Sequence, residues 1–158
     1  MGDFNSIKGC IAANSYASVE QADDYFDLEF GADDWFGLED AAKEKLLVTA
    51  TRMIDKLKPI YGKLSSDQAL NFPMKTYGGT LGDGFEQAKQ ACIQQAYYLL
   101  HSHEMLNEAV QGNIIGLKAD SFGKTSKTVN GYNAFAKFSP GILSILSSYI
   151  DLSLRVSR

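Results

Sequence analysis

The sequence predicts a mainly α protein, a small helical bundle of three to four helices with a long irregular or hairpin-like extension before a C-terminal helix. Three observations carry that expectation. Apolar residues recur at spacings of three and four in separate stretches. Helix start and stop signals bracket those stretches. The 158 residues, 45% hydrophobic and 22% charged, suit one globular domain rather than a disordered chain. Within that single domain, residues 1–107 read as a helical body with an N-terminal arm. Residues 108–139 read as an extended or hairpin-like linker, and residues 140–158 as a terminal helix and tail.

Residues 1–15 mix Gly, Ser, Asn and Ala with a few apolar side chains, which fits a loose arm or a short edge strand. Ser18 opens the first helix, with Gln21 at capping-box spacing and Glu20, Asp23 and Asp24 toward its positive end. Val19, Ala22, Tyr25, Phe26 and Phe30 form its apolar stripe, and Gly31 is the expected stop. Asp33 to Phe36 make a short turn carrying Trp35, the single tryptophan. Glu39 to Leu57 is the clearest helix, buried through Leu46, Leu47, Ala50, Met53, Ile54 and Leu57, with Lys43, Glu44, Lys45, Arg52 and Lys56 mostly off that face. Pro59 marks its end, because the residue before a proline disfavours helix.

Residues 58–84 read as a long connection, pinned to the core by Phe72 and Pro73. A third helix is expected from about Gly84 to Asn107, capped by Asp83 and buried through Phe85, Ala88, Cys92, Ala96, Leu99, His103 and Leu106. The next stretch is rich in Gly, Ser, Thr, Asn and Lys. Pro140 then occupies the first turn of a last helix, apolar around much of its circumference. That helix either folds back as core or reaches out as an arm to another subunit.

Catalytic chemistry is not expected. His101 and His103 stand two apart on a helix and point away from each other, so they do not form a metal pair. Gly-x-Ser-x-Gly is absent, and the glycines at 78, 79, 82 and 84 lack the Lys-Ser/Thr of a phosphate loop. The pairs Asp23-Asp24 and Asp33-Asp34 read as solvated carboxylates. Cys92 lies on a buried face, and two cysteines are too few for a disulfide scaffold, which predicts a reducing compartment. No catalytic residue, cofactor or metal is therefore assigned. The first ten residues lack a signal-peptide pattern, and no run of eighteen apolar residues exists, so no membrane partner is expected.

Charge divides the chain. Residues 1–56 hold twelve Asp/Glu and five Lys/Arg, a balance of −7, whereas residues 57–158 hold seven and ten, a balance of +3. The net −4 argues against a general nucleic-acid coat protein. The asymmetry is either a solvated acidic face or one half of a head-to-tail contact between copies. Lys118, Lys124, Lys127 and Lys137, interleaved with Phe122, Tyr132, Phe135 and Phe138, are either a solvated extension or a surface for single-stranded nucleic acid.

Several pieces occur together in fixed order: Ser15-Tyr16-Ala17-Ser18-Val19, Ala22 to Phe26, Trp35, Lys45 to Asp55, Tyr61-Gly62 and Gln68 to Pro73. This series resembles the head–tail connector (adaptor) proteins of tailed bacteriophages, a group whose sequence domain is sometimes labelled DnaT-like. The similarity spans most of residues 15–107, with further likeness at 118–129 and 139–150. It implies a helical, non-enzymatic virion subunit in the neck between head and tail, assembled in the host cytoplasm. Copies would form a ring, typically of about twelve, beneath the portal protein. The ring would extend the channel through which DNA passes without specific binding, and would offer a docking platform to the next tail or tail-completion protein.

The resemblance places the C-terminal segment in the portal, making Ile142, Leu146, Tyr149, Ile150, Leu154 and Arg158 the candidate portal-binding residues. Asp23, Asp27, Asp33, Asp34 and Met74 are the candidate subunit-interface residues; Met74 stands where the family often has Arg. The DnaT-like label implies the alternative function, a replication accessory protein that binds single-stranded DNA.

Overall fold

A computed structural model of the protein describes residues 3–77, 80–116 and 137–153, with the side chains of 103–116 excepted. The architecture is the expected small helical bundle. Five helices follow in order among the described residues: α1 (Val19–Asp27), α2 (Asp33–Phe36), α3 (Asp40–Asp55), α4 (Phe85–Gly116) and α5 (Pro140–Leu146). The α3–α4 pair is the most extensive packing, and α5 lies against α4.

Local chemistry starts α1 as expected. Ser18 Oγ accepts from the Gln21 N–H at 3.1 Å, and the Gln21 side chain accepts from the Ser18 N–H at 3.0 Å. The helix ends at Asp27, four residues before Gly31, so Phe30 leaves the buried stripe and is fully exposed. The segment around Trp35 is a short helix rather than a turn, and it buries the indole completely. In α3, Leu47, Ala50 and Ile54 are buried as expected. Lys43, expected off that face, is buried as well. In α4, Phe85, Ala88, Cys92 and Ala96 are buried. This helix continues to Gly116, nine residues past the expected end at Asn107, so the linker does not begin at 108.

The long connection between α3 and α4 is ordered by its own polar groups. An antiparallel bridge pairs Lys63 with Met74, with Leu64 N–H donating to Pro73 O and Lys75 N–H to Gly62 O. Inside this closure, buried Gln68 donates to the carbonyls of Leu70 and Pro73 at 2.8 and 2.9 Å and accepts from the Ser65 N–H. The Phe72–Pro73 peptide is cis, and Phe72 is buried. Gly84, just before α4, has φ +76°, and an added Cβ would sit 2.8 Å from Phe72 and Tyr149, so only glycine suits both the turn and the approach.

The C-terminal helix folds back. Ile142 and Leu146 are fully buried, and Tyr149 and Ile150 nearly so. A second bridge joins Pro59 to Ile150, flanked by Ile60 N–H to Tyr149 O and Asp151 N–H to Lys58 O, both 2.8 Å. The buried Gln95 amide holds the chain's return, donating to Lys137 O and accepting from Ser139 N–H, each at 2.8 Å. The arm alternative is thereby corrected: a three-helix body leaves an apolar face open along α4, and α5 covers it.

Candidate functional site

The residues carrying the family resemblance converge inside the molecule. Tyr16 donates its phenolic proton to the Asp55 carboxylate and accepts from the Phe72 N–H. Asp55 also accepts from the Asn71 N–H, and its backbone carbonyl from the Asn71 amide. Burial first, then the Asp55 charge, drives the Tyr16 phenol far above its ordinary range, so it stays protonated and serves as a structural donor. Burial likewise pushes the Cys92 thiol up, against hydrogen bonds from Thr51 and its surroundings that pull the other way. Cys92 Sγ and Thr51 Oγ1 lie 3.2 Å apart and share a hydrogen bond. These groups tie α3, α4 and the 70–73 segment together.

A second cluster sits under α2. One oxygen of Asp23 accepts from Trp35 Nε1 at 2.7 Å and from Lys43 Nζ at 2.9 Å. The Lys43 ammonium lies 5.7 Å from the Trp35 ring centroid and 5.6 Å from that of Phe36. Asp23 is therefore engaged within its own chain through one oxygen, while its side chain stays 34% exposed. Met74 is corrected among the subunit-interface candidates: at 1% exposure its side chain is core, and its N–H donates to Asp83 O. Ile142, Leu146, Tyr149 and Ile150 are core for the reason given above, while Leu154 and Arg158 lie outside the described residues. Of the proposed nucleic-acid surface, Lys118, Phe122, Lys124, Lys127, Tyr132 and Phe135 lie outside the described residues. So do Gly78, Gly79 and the side chain of His103. Phe138 packs against the core, and Lys137 is exposed.

Asp27, Asp33 and Asp34 are exposed, and they belong to a larger feature. Residues 20–40 carry nine carboxylates and no Lys or Arg. Eight are exposed; only Asp23 is partly covered. Beside Asp23–Lys43, the one basic side chain within 4 Å of this group among the described residues is His101, whose Nε2 lies 3.9 Å from Asp34. Helix dipoles account for Glu20, Asp33, Asp34 and Asp40, which sit in first turns. They do not account for Asp27, the last residue of α1, or for Glu29 just beyond it, where the dipole disfavours an anion.

This acidic face borders a cleft of about 460 Å³ between the α1–α2 turn and α4, lined by Tyr25, Phe30, Tyr97, Tyr98, His101 and Glu29 among others. Tyr25 and Tyr97 are held in place. Gln94 donates to Tyr25 Oη at 2.8 Å, and Tyr97 donates to Gly31 O at 2.7 Å. The Tyr97 ring packs 5.0 Å from Phe26 and 4.5 Å from His101. Burial, then Asp34 and Asp33, push the Tyr97 phenol up, which places both carboxylates in its field. Helical periodicity does not reveal this cleft, because its aromatic residues lie some seventy positions apart. The signal available was the cation-free run from 20 to 40.

Among the described residues, no group of three His, Cys, Asp or Glu side chains is close enough to hold a metal ion, and no helix is long and apolar enough to cross a membrane. The arrangement instead offers two kinds of recognition: ring faces that accept a flat or cationic group, and carboxylates that favour positive charge. No curated protein and no solved structure matches the chain. Residues 6–123, about three quarters of the sequence, match the family described as "Putative DnaT-like ssDNA binding protein", and to that family the chain belongs.

Proposed function

We propose that the protein is a non-enzymatic structural subunit of a tailed-bacteriophage virion, a head–tail adaptor that assembles with its own copies into a ring in the neck. In this reading the ring extends the DNA channel beneath the portal protein and offers a platform to the next tail component. One observation carries it: residues 20–40 bring nine carboxylates and no Lys or Arg, eight of them exposed, with Asp27 and Glu29 placed against the helix dipole. Such placement costs the isolated subunit stability and gains its use when a positive surface is brought to it. The buried convergence of the motif residues fits the same reading, since motif residues that pack a subunit maintain its shape. With α5 committed to the core, portal contact falls to surfaces other than Ile142, Leu146, Tyr149 and Ile150.

Native mass spectrometry across a concentration series, with negative-stain imaging, tests this. Closed rings of about a dozen copies are the expected outcome. A chain that stays monomeric at every concentration, low salt included, overturns the proposal.

The family description favours a second reading, binding of single-stranded DNA. The aromatic cleft supplies ring faces on which bases stack. Its carboxylate rim opposes the phosphate backbone, which is why this reading stands second.

A further inference from the structure

The cleft beside the acidic face calls for a cation, and the same chain carries one suited to it on another side. On α3 and its C-cap residue, Lys45, Arg52 and Lys56 fall within about 40° of one another around the helix axis, forming a stripe roughly 16 Å long. All three are exposed, and among the described residues none makes a salt bridge within the chain. Of the carboxylates beside the stripe, Asp55 is already taken by Tyr16 and Asn71, and half-buried Glu44 makes no salt bridge with it. Lys45 and Arg52 border a pocket of about 340 Å³ formed with Phe4, Asn14, Glu44 and Val48, which shares no residue with the aromatic cleft. Two unlike, non-overlapping surfaces on one chain make a heterologous contact, the kind that closes into a ring.

We infer that Arg52 of one copy inserts into the aromatic cleft of the next. Its guanidinium lies against the rings of Tyr25, Phe30 and Tyr97 and pairs with the Glu29 carboxylate. Lys45 and Lys56 flank it along the acidic face. Arginine suits this position because its planar cation both stacks on aromatic faces and pairs with a carboxylate. The chain already uses this chemistry internally, where Lys43 sits over Trp35 and Phe36 beside Asp23, and where Lys8 lies 5.1 Å from the Phe85 centroid. The contact also gives a place to Phe30, an aromatic side chain left wholly in water by the early end of α1. This inference rests on the ring reading above and names the subunit contact that would build it.

A charge swap tests it. Glu29 and Arg52 are exposed, so Glu29→Arg and Arg52→Glu are expected to fold, as Trp35 fluorescence and circular dichroism would verify. In sedimentation and native mass spectrometry at low salt, each single variant should lose at least about tenfold in apparent association. The double variant should recover to within a few-fold of wild type. Rings that persist in both single variants would overturn the contact while leaving the ring reading standing. A double variant that stays dissociated would overturn the pairing of these two residues. A wild-type chain that is monomeric throughout removes the contact and the ring reading together.

Discussion

Lys43 is the residue whose position departs furthest from its chemistry. It is 5% exposed, on a face otherwise made of Leu47, Ala50 and Ile54, and its charge is met by one carboxylate and two rings. Removing the carboxylate strands both the ammonium and the Trp35 N–H. Asp23→Ala should therefore lower stability by about 2–3 kcal/mol, less than for a fully buried pair because Asp23 retains water contact. Urea unfolding followed by the single tryptophan reads this directly. Without denaturant, the same variant should leave the oligomer distribution unchanged, since the Asp23 oxygen it removes is engaged by Trp35 and Lys43 of the same chain. An altered distribution would place it at the interface. Nothing local to Lys43 announces this arrangement. Helical spacing sets its angle on α3, but its partners come from α1 and α2, twenty and eight residues earlier in the chain.

Elements legible in the sequence are those decided within a turn or two of chain. The Ser18–Gln21 box, the burial of Leu47, Ala50 and Ile54, and the stripe Phe85–Ala88–Cys92–Ala96 depend on local hydrogen bonds and on the 3.6-residue period. The order within residues 58–84 depends on Gln68 reaching backbone carbonyls that only a closed loop brings near, so composition alone reads as an irregular connection. The fate of the last helix is likewise a long-range question. Its apolar residues serve a core or a docking arm equally well, and the deciding partner is the face of α4 around Gln95. Because α5 is core, deleting residues 140–158 should leave a chain that unfolds or aggregates. Ile142→Ala and Leu146→Ala should each cost about 2–5 kcal/mol. Circular dichroism and gel filtration of the truncated chain check the first, and denaturant midpoints the second. A truncated chain that stays folded and soluble would restore the arm.

At the scale of the whole molecule the two functional readings place opposite demands on charge. A protein that holds single-stranded DNA must neutralise phosphates, and its affinity then falls steeply with salt. A subunit that only lines a passage must avoid that attraction, because every phosphate held during transit must be released again. The described surface is the less suited to the first demand: its aromatic cleft, which offers rings for stacking bases, is lined by Glu29, has Asp34 and Asp33 acting on its Tyr97, and borders a nine-carboxylate run. Fluorescence titration with a labelled single-stranded oligonucleotide at about 50 and 200 mM salt separates the two. The adaptor reading expects no appreciable binding at either salt, and no change when Tyr97 is replaced by Ala. A DNA-binding subunit would bind at the lower salt and lose affinity by orders of magnitude at the higher. If such binding also fell away with Lys118, Lys124 and Lys127 replaced by Ala, the acidic face would be a bystander to a nucleic-acid function carried elsewhere on the chain. If it fell with Tyr97→Ala alone, base stacking would have overcome the carboxylates, and the cleft assigned here to Arg52 would be a nucleobase site instead.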